Sequence, residues 1–245
     1  MIVERAEHPE WTSNAYLLGD EEGGQGVLVD SNGVEAPLLE QVVARRLTIT
    51  HVLVTHHHAD HVVDVGGLAK RFGVPVVGSS LTADAGVRLD ETFRDGDVLS
   101  SGALELTVLA TPGHCIDHHA LLVNGADVLT ADCLFKGTIG GTGGGGPNGY
   151  ADQYHSIMER LMSLPPDTRI HPGHTLPSTV GAEWEQNPFI RIWRGLDPEG
   201  DEPCRVRGQE ATLVLFGPDY DGTNKAWVRY PDGRDAIVGG SQIER

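Results

Sequence analysis

The chain has 245 residues, of which 39% are hydrophobic and 22% charged, enough for one large core with or without a small appendage. Its 18 Lys and Arg stand against 35 Asp and Glu, and the net charge of -17 excludes unassisted binding to a phosphate backbone, so no nucleic-acid partner is expected. Nowhere do 18 apolar residues run together and the opening Met1-Ile2-Val3-Glu4-Arg5-Ala6-Glu7 has no apolar signal core, which predicts no membrane partner and a cytoplasmic location.

Val27-Leu28-Val29-Asp30 is a short apolar run and reads as a strand. Residues 34–46 carry apolar side chains at 34, 38, 39, 42 and 43, a helical face, with Pro37 tolerated in the first turn. Residues 48–55 read as a buried strand, 62–72 as a helix, and 74–77, 104–109 and 120–123 as further strands, with hairpins between 96 and 131. The stretch 140–149 is nearly all glycine and cannot be regular structure. It lacks the Gly-Lys-Ser/Thr of a phosphate cradle, which leaves a loop beside a substrate entrance or a plain connector. Residues 152–164 again look helical. Beyond Pro188 the character changes, and two alternating runs, 210–216 and 226–230, predict a small β unit in residues 196–245 packed on a domain of residues 1–195. Asp219-Tyr220-Asp221-Gly222 reads as a structural turn, with too few spaced ligands for calcium.

The chemistry concentrates in Thr55-His56-His57-His58-Ala59-Asp60-His61, where imidazoles and a carboxylate crowd behind a strand. Such nitrogen and oxygen donors suit zinc, iron or manganese. A helical pairing of His57 with His61 is disfavoured because a strand precedes them and no Glu holds the base position. Further donors follow strand-like runs: His114 after Thr111-Pro112-Gly113, Asp132 after residues 126–131, and His174 after His171-Pro172-Gly173. His57 is expected to point away. His8, His51, His118, His119, His155 and His171 are expected to be structural or exposed, with His118 and His171 nearest the motifs as partners for ligating residues. Cys115, Cys133 and Cys204 are too few for a disulfide framework and read as reduced thiols, the first two as packing residues.

The His-x-His-x-Asp-His loop, the Thr-Pro-Gly-His, the Asp after a strand and the late Gly-His together resemble the metallo-β-lactamase fold superfamily. The resemblance implies an α/β fold, a four-layer αβ/βα sandwich with the metals at one edge, here with a small C-terminal β extension. It implies one ion on His56, His58 and His114, a second on Asp60, His61 and His174, and Asp132 between them. Two Zn2+, or mixed Zn, Fe and Mn, roughly 3.5–4 Å apart would share a bridging hydroxide that attacks an acyl carbon, with Asp60 as the catalytic residue that orients it or accepts the proton.

Within that superfamily, Ala131-Asp132-Cys133-Leu134-Phe135 with Gly137-Thr138-Ile139-Gly140, and Leu164-Pro165-Pro166-Asp167-Thr168 leading to His171-Pro172-Gly173-His174, resemble the glyoxalase II-like branch. Ser178-Thr179-Val180-Gly181 and Glu185-Gln186-Asn187-Pro188-Phe189 continue the likeness, which covers residues 12–190. The branch implies hydrolysis of a small acyl-thiol. Gly141 stands where the branch usually has Arg, and Asp117 where a Gly follows the Thr-Pro-Gly-His motif; Lys136 could compensate for the lost cation but reads first as a solvated loop residue. The alternatives are a mononuclear iron persulfide dioxygenase with a single Fe2+ on His114, His174 and Asp132, a lactonase or other hydrolase of the same fold, and a non-catalytic sensor module. A homodimer is compatible with all of them.

Overall fold

The computed structural model describes the backbone of residues 1–245 and the side chains of all but Pro147. Strands β1 (Ile2–Glu7), β2 (Asn14–Gly19), β3 (Gln25–Val29), β4 (Thr48–Leu53), β5 (Val76–Ser79) and β6 (Glu91–Phe93) lie side by side in that order. β1 to β3 pair antiparallel through short connections, and β3 to β6 pair parallel. Each parallel step needs a crossover. α1 (Ala36–Ala44), α2 (Val65–Phe72) and α3 (Ser80–Asp84) supply them.

β7 (Val98–Ser101), β8 (Leu104–Ala110), β9 (His119–Val123) and β10 (Asp127–Ala131) follow, then a short hairpin of β11 (Leu134–Phe135) and β12 (Thr138–Ile139). After α4 (Gly149–His155) come β13 (Arg169–Pro172), β14 (Ser178–Thr179), α5 (Val180–Gln186) and α6 (Pro188–Trp193). The second sheet has the order β14-β13-β10-β9-β8-β7.

Alternation along the strands builds the layers, because successive side chains face opposite ways. In β2, Leu17 joins Leu28, Leu38, Val42 and Leu68 under α1 and α2, while Tyr16 and Leu18 face inward. There they meet Val27, Val29 and Leu53 from the same sheet and Leu106, Val108, Leu121 and Leu129 from the other. On the far face of the second sheet, Ala120, Val128 and Ile170 pack with Ile157, Leu161, Phe189 and Ile190 of the covering helices. The order is therefore helix, sheet, sheet, helix. It is the four-layer αβ/βα sandwich expected above. Burial on both faces also explains why the central strands read as continuous apolar runs.

Some local expectations need correction. Val43 is exposed, since the buried stripe of α1 comes down to Leu38 and Val42. α2 starts at Val65 rather than at 62, because Asp64 caps it by accepting a hydrogen bond from the Gly67 amide at 3.1 Å. The helix expected at 152–164 begins at Gly149 and widens into a π-helical stretch over Ser156–Leu161 that buries Ile157 and Leu161.

The C-terminal residues form a separate sheet of β15 (Glu202–Val206), β16 (Gln209–Pro218), β17 (Asn224–Arg229), β18 (Asp235–Gly239) and β19 (Ile243–Glu244), in the order β18-β17-β16-β15-β19. The two alternating runs correspond to β16 and β17. β15 is hidden in the sequence by Glu202, Pro203 and Arg205, which leave only Cys204 and Val206 as inward apolar residues. Cys204, Val206, Ala211, Leu213, Ala226 and Val228 make a core of this sheet's own. From its other face Val214, Trp227 and Ile237 pack into the apolar cluster of the second main sheet. Among the described residues, no helix is long and apolar enough to cross a membrane.

Candidate metal centre

Five strands deliver polar residues to one edge of the sandwich. β3 ends before Asp30, β4 before the 55–61 loop, β8 before the 111–114 loop, β10 before Asp132, and β13 before Gly173-His174. β8, β10 and β13 point the same way, because β8 and β10 are both antiparallel to β9 and β13 is parallel to β10. Their following residues consequently emerge together. A 3-10 turn over Ala59–His61 then folds Asp60 and His61 back toward the same spot.

All seven donors expected from the sequence converge. His56, His58, His114 and Asp132 form one group, and Asp60, His61 and His174 another, with the donor atoms of each group within 4.8 Å of one another. The Asp132 carboxylate faces both: Oδ1 lies 3.3 Å from His61 Nε2, and Oδ2 lies 3.3 Å from His174 Nε2, 3.5 Å from His114 Nε2 and 3.9 Å from His56 Nε2. Asp60 Oδ2 lies 3.5 Å from His174 Nε2 and 3.6 Å from His61 Nε2. Bond lengths of about 2.0–2.2 Å to a shared ion set donor separations of roughly 3–4 Å. The spacing fits.

Hydrogen bonding gives an independent test of that fit. His56 Nε2, His61 Nε2 and Asp132 Oδ1 are buried and have no hydrogen-bond partner. Buried polar atoms rarely stay unpartnered, so three of them aimed at one another call for an ion. The opposite nitrogens are engaged. His56 Nδ1 is 3.0 Å from Thr55 Oγ1, His61 Nδ1 is 2.9 Å from Asp30 Oδ2, and His114 Nδ1 is 2.8 Å from the Gly141 carbonyl. Such partners fix the tautomer that leaves Nε2 free to bind. His58 presents Nδ1 instead, 2.8 Å from His114 Nε2.

Burial keeps most of these rings neutral. It holds His56 well below the usual imidazole range, and burial with the nearby His114 lowers His58 to about 4. Burial also lowers His114. His61 is the exception: burial opposes its charge, yet the carboxylates of Asp132 and Asp30 raise it well above the ordinary value. Asp132 is buried too, but His174 and His61 hold it well below 3.8. An incoming cation would displace the His61 proton, since ligating imidazole must be neutral.

Asp30 is a site residue that the motifs do not single out. It adopts a left-handed backbone (φ 60°), and its carboxylate accepts from the Thr55 amide at 2.9 Å and hydroxyl at 2.8 Å while holding His61. The signal that marks Asp132, an acidic residue ending an apolar strand, marks Asp30 as well. Asp30→Ala is expected to weaken metal binding about 10- to 100-fold, read by competition with a chromogenic chelator. Unchanged affinity would show that His61 needs no such support.

The remaining histidines behave as expected, with one correction. His57 turns away, its Nδ1 2.7 Å from the buried Asp117, which also accepts from Thr82 Oγ1. His118 supports the centre: its Nε2 accepts from the Asp132 amide at 3.0 Å, and burial lowers its pKa to about 3. His171 does not. Its Nε2 is bound 2.8 Å from Asp127, which also pairs with Arg169, because residue 171 lies within β13 while the ligand follows its end. His8, His51, His119 and His155 engage Trp11, Thr50, Asp117 and Glu159. Cys115 and Cys133 are fully buried thiols whose pKa burial raises, which suits packing, and Lys136 is exposed.

Beside His114 opens a cleft of about 710 Å³. Gly141, Gly144 and Gly149 of the glycine-rich segment line one side, and Arg207, Tyr230 and Ile237 of the C-terminal sheet line the other. The volume suits a small-molecule ligand.

A layered αβ/βα sandwich carrying clustered His and Asp donors at the ends of its strands defines a metal-binding class of protein, and the comparisons agree. Residues 8–174 match the model of the Metallo-beta-lactamase superfamily, and the chain belongs to that hydrolase family. A protein named hydroxyacylglutathione hydrolase from Chromohalobacter salexigens is 30% identical over 222 residues, covering 75% of this chain and 85% of its own. The crystal structure of ETHE1 from Myxococcus xanthus superposes with a TM-score of 0.68 at 34% identity, covering 80% of this chain and 92% of that one. TTHA1623, crystallised in a di-iron-bound form, gives 0.63 at 30% identity, covering 77% of this chain and all of the other.

Proposed function

We propose that this chain is a metal-dependent hydrolase that cleaves a thioester or related acyl compound, with one ion held by His56, His58 and His114, a second by Asp60, His61 and His174, and Asp132 between them. The observation that carries the reading is the Asp132 carboxylate facing imidazoles of both groups, with His56 Nε2, His61 Nε2 and its own Oδ1 otherwise unpartnered. Two divalent ions bound there would bring the pKa of water toward neutrality and polarise an acyl carbonyl. Asp60, whose side chain is about a quarter exposed, sits where it can orient that water and take its proton. The cleft beside His114 accommodates the thiol portion, and Gly143, which lines it, has open space where a side chain would stand. A leaving thiolate needs little general acid, which suits a site where Asp60 is already assigned to the water.

The relative named hydroxyacylglutathione hydrolase supports a hydroxyacyl thioester of a peptide thiol as the first substrate to try. Protein purified without chelator is expected to carry zinc, or zinc mixed with iron and manganese, approaching two ions per chain, and to hydrolyse such thioesters until a chelator is added. His58→Ala is expected to cut turnover at least about a hundredfold. Full activity in that variant would sink the reading.

A second reading, persulfide oxidation at a single iron on His114, His174 and Asp132, draws support from the similarity to ETHE1 and from the convergence of these three side chains. It leaves His56 and His58 without a task. About one iron per chain, with oxygen uptake on glutathione persulfide, would select it over hydrolysis.

A further inference from the structure

His174 is held differently from His61 and His114. The nitrogens of His61 and His114 that face away from the centre have partners at 2.9 and 2.8 Å, whereas His174 Nδ1 has only Thr12 Oγ1 at 3.4 Å. What grips its ring instead comes from the C-terminal sheet. Tyr220, on the turn between β16 and β17, stacks on the imidazole with centroids 4.2 Å apart and planes 21° from parallel. The buried Phe135 presses edge-on against both, 5.5 Å from His174 and 4.7 Å from Tyr220.

The turn that carries Tyr220 is anchored. Lys225 Nζ pairs with Asp219 at 2.9 Å, both side chains less than a tenth exposed, and lies 5.3 Å from the Tyr220 ring centroid. Asp219 Oδ1 also accepts from the Tyr220 amide at 2.8 Å, and the Asp219 amide donates to the Thr223 carbonyl at 3.0 Å. A buried ion pair gains little net stability, and its best-attested use is to specify one arrangement. Here the arrangement is the position of one aromatic ring against one donor of the candidate metal centre. The segment lies beyond residues 8–174, outside the part of the chain that matches the superfamily.

We propose that Tyr220 is a positioning residue of the metal centre: its ring, backed by Phe135 and set by the Asp219–Lys225 pair, orients His174 toward the ion it shares with Asp60 and His61. The inference rests on the reading of His174 as a ligand but not on the identity of the substrate. It makes the C-terminal sheet a working part of the site. A stacked ring does for His174 what a short hydrogen bond does for His56, His61 and His114, restricting rotation of the imidazole before the ion arrives.

The test is titration of the metal-free full chain with Zn2+ against a chromogenic chelator, for wild type, Tyr220→Phe and Tyr220→Ala. Tyr220→Ala is expected to weaken one of the two ions about tenfold and to leave the other unchanged, while Tyr220→Phe keeps the ring and binds as wild type. Three results would overturn the proposal: unchanged binding in Tyr220→Ala, equal weakening of both ions, or Tyr220→Phe as weak as Tyr220→Ala. Should Tyr220→Ala fail to fold, Lys225→Met decides, because it keeps the ring but frees the turn. Weakening of the same single ion supports the proposal, and wild-type binding rejects it. Absence of thioester turnover in every variant would reject the hydrolase reading alone, since zinc affinity is measured without substrate.

Discussion

Asp132→Asn is expected to lower turnover by roughly a thousandfold or more and to reduce the metal content of the purified chain. The replacement keeps the volume and removes one negative charge from a point where imidazoles of both groups come within 3.3 to 3.5 Å. Asp30 also stands near His56 and His61, but its carboxylate is engaged by the Thr55 amide and hydroxyl and by His61 Nδ1. On the proposed two-ion reading, an amide would leave the mutual repulsion of two divalent cations at low effective dielectric uncompensated. Elemental analysis and kcat of the same preparation check the prediction, with far-UV circular dichroism confirming the fold. Two ions per chain and near-normal kcat in the variant would remove Asp132 from its assigned place.

Gly173→Ala is the second substitution with a large expected effect, and it acts without replacing a donor. A Cβ at residue 173 would stand 2.1 Å from Asp132 Oδ1 and 2.8 Å from the Ala131 carbonyl carbon. Neither can yield easily. Ala131 already adopts a left-handed backbone (φ 40°) and its carbonyl accepts from the Gly173 amide at 2.8 Å, while Asp132 is held by His118. Overpacking of this kind costs about 1–3 kcal/mol of stability, and moving a reacting group by about 1 Å can cost about a hundredfold in rate. Urea unfolding and kcat should both register the change. A variant as stable and as active as wild type would show that the approach of β13 to β10 is looser than these contacts require. Gly140 faces a similar constraint, with a Cβ placed 1.8 Å from the Asp132 carbonyl oxygen.

The donor set is legible in the order of residues because each donor is a local chemical event. Asp132 directly follows a strand-like run and His56 follows Val52-Leu53-Val54-Thr55, while His114 and His174 each follow a Pro-Gly turn that closes a strand. The sandwich is legible for the same reason, since strands buried on both faces leave continuous apolar runs. Short-range signals fail in other places. β15 gives a weak signal because Glu202, Pro203 and Arg205 face solvent and only Cys204 and Val206 turn into the sheet's own core, and Val43 belongs to an apolar periodicity that the sheet beneath α1 does not use.

Partnerships are not legible. Nothing in the order of residues says that Asp30 rather than His171 supports a donor. That depends on Asp30 ending the strand beside β4, and on His171 lying within β13 rather than after it. The turn at 219–222 reads as a plain connection because its composition is that of a turn. Its position over His174 exists only once the C-terminal sheet packs Val214, Trp227 and Ile237 against the second main sheet. Sequence alone therefore determined which atoms could bind an ion, through side-chain chemistry at strand ends, and the class of fold that presents them, through the family resemblance those motifs carry. The tertiary structure alone decided which groups orient those atoms and which surfaces enclose the cleft, because these are contacts between segments far apart in the chain, and local pattern carries no information about them.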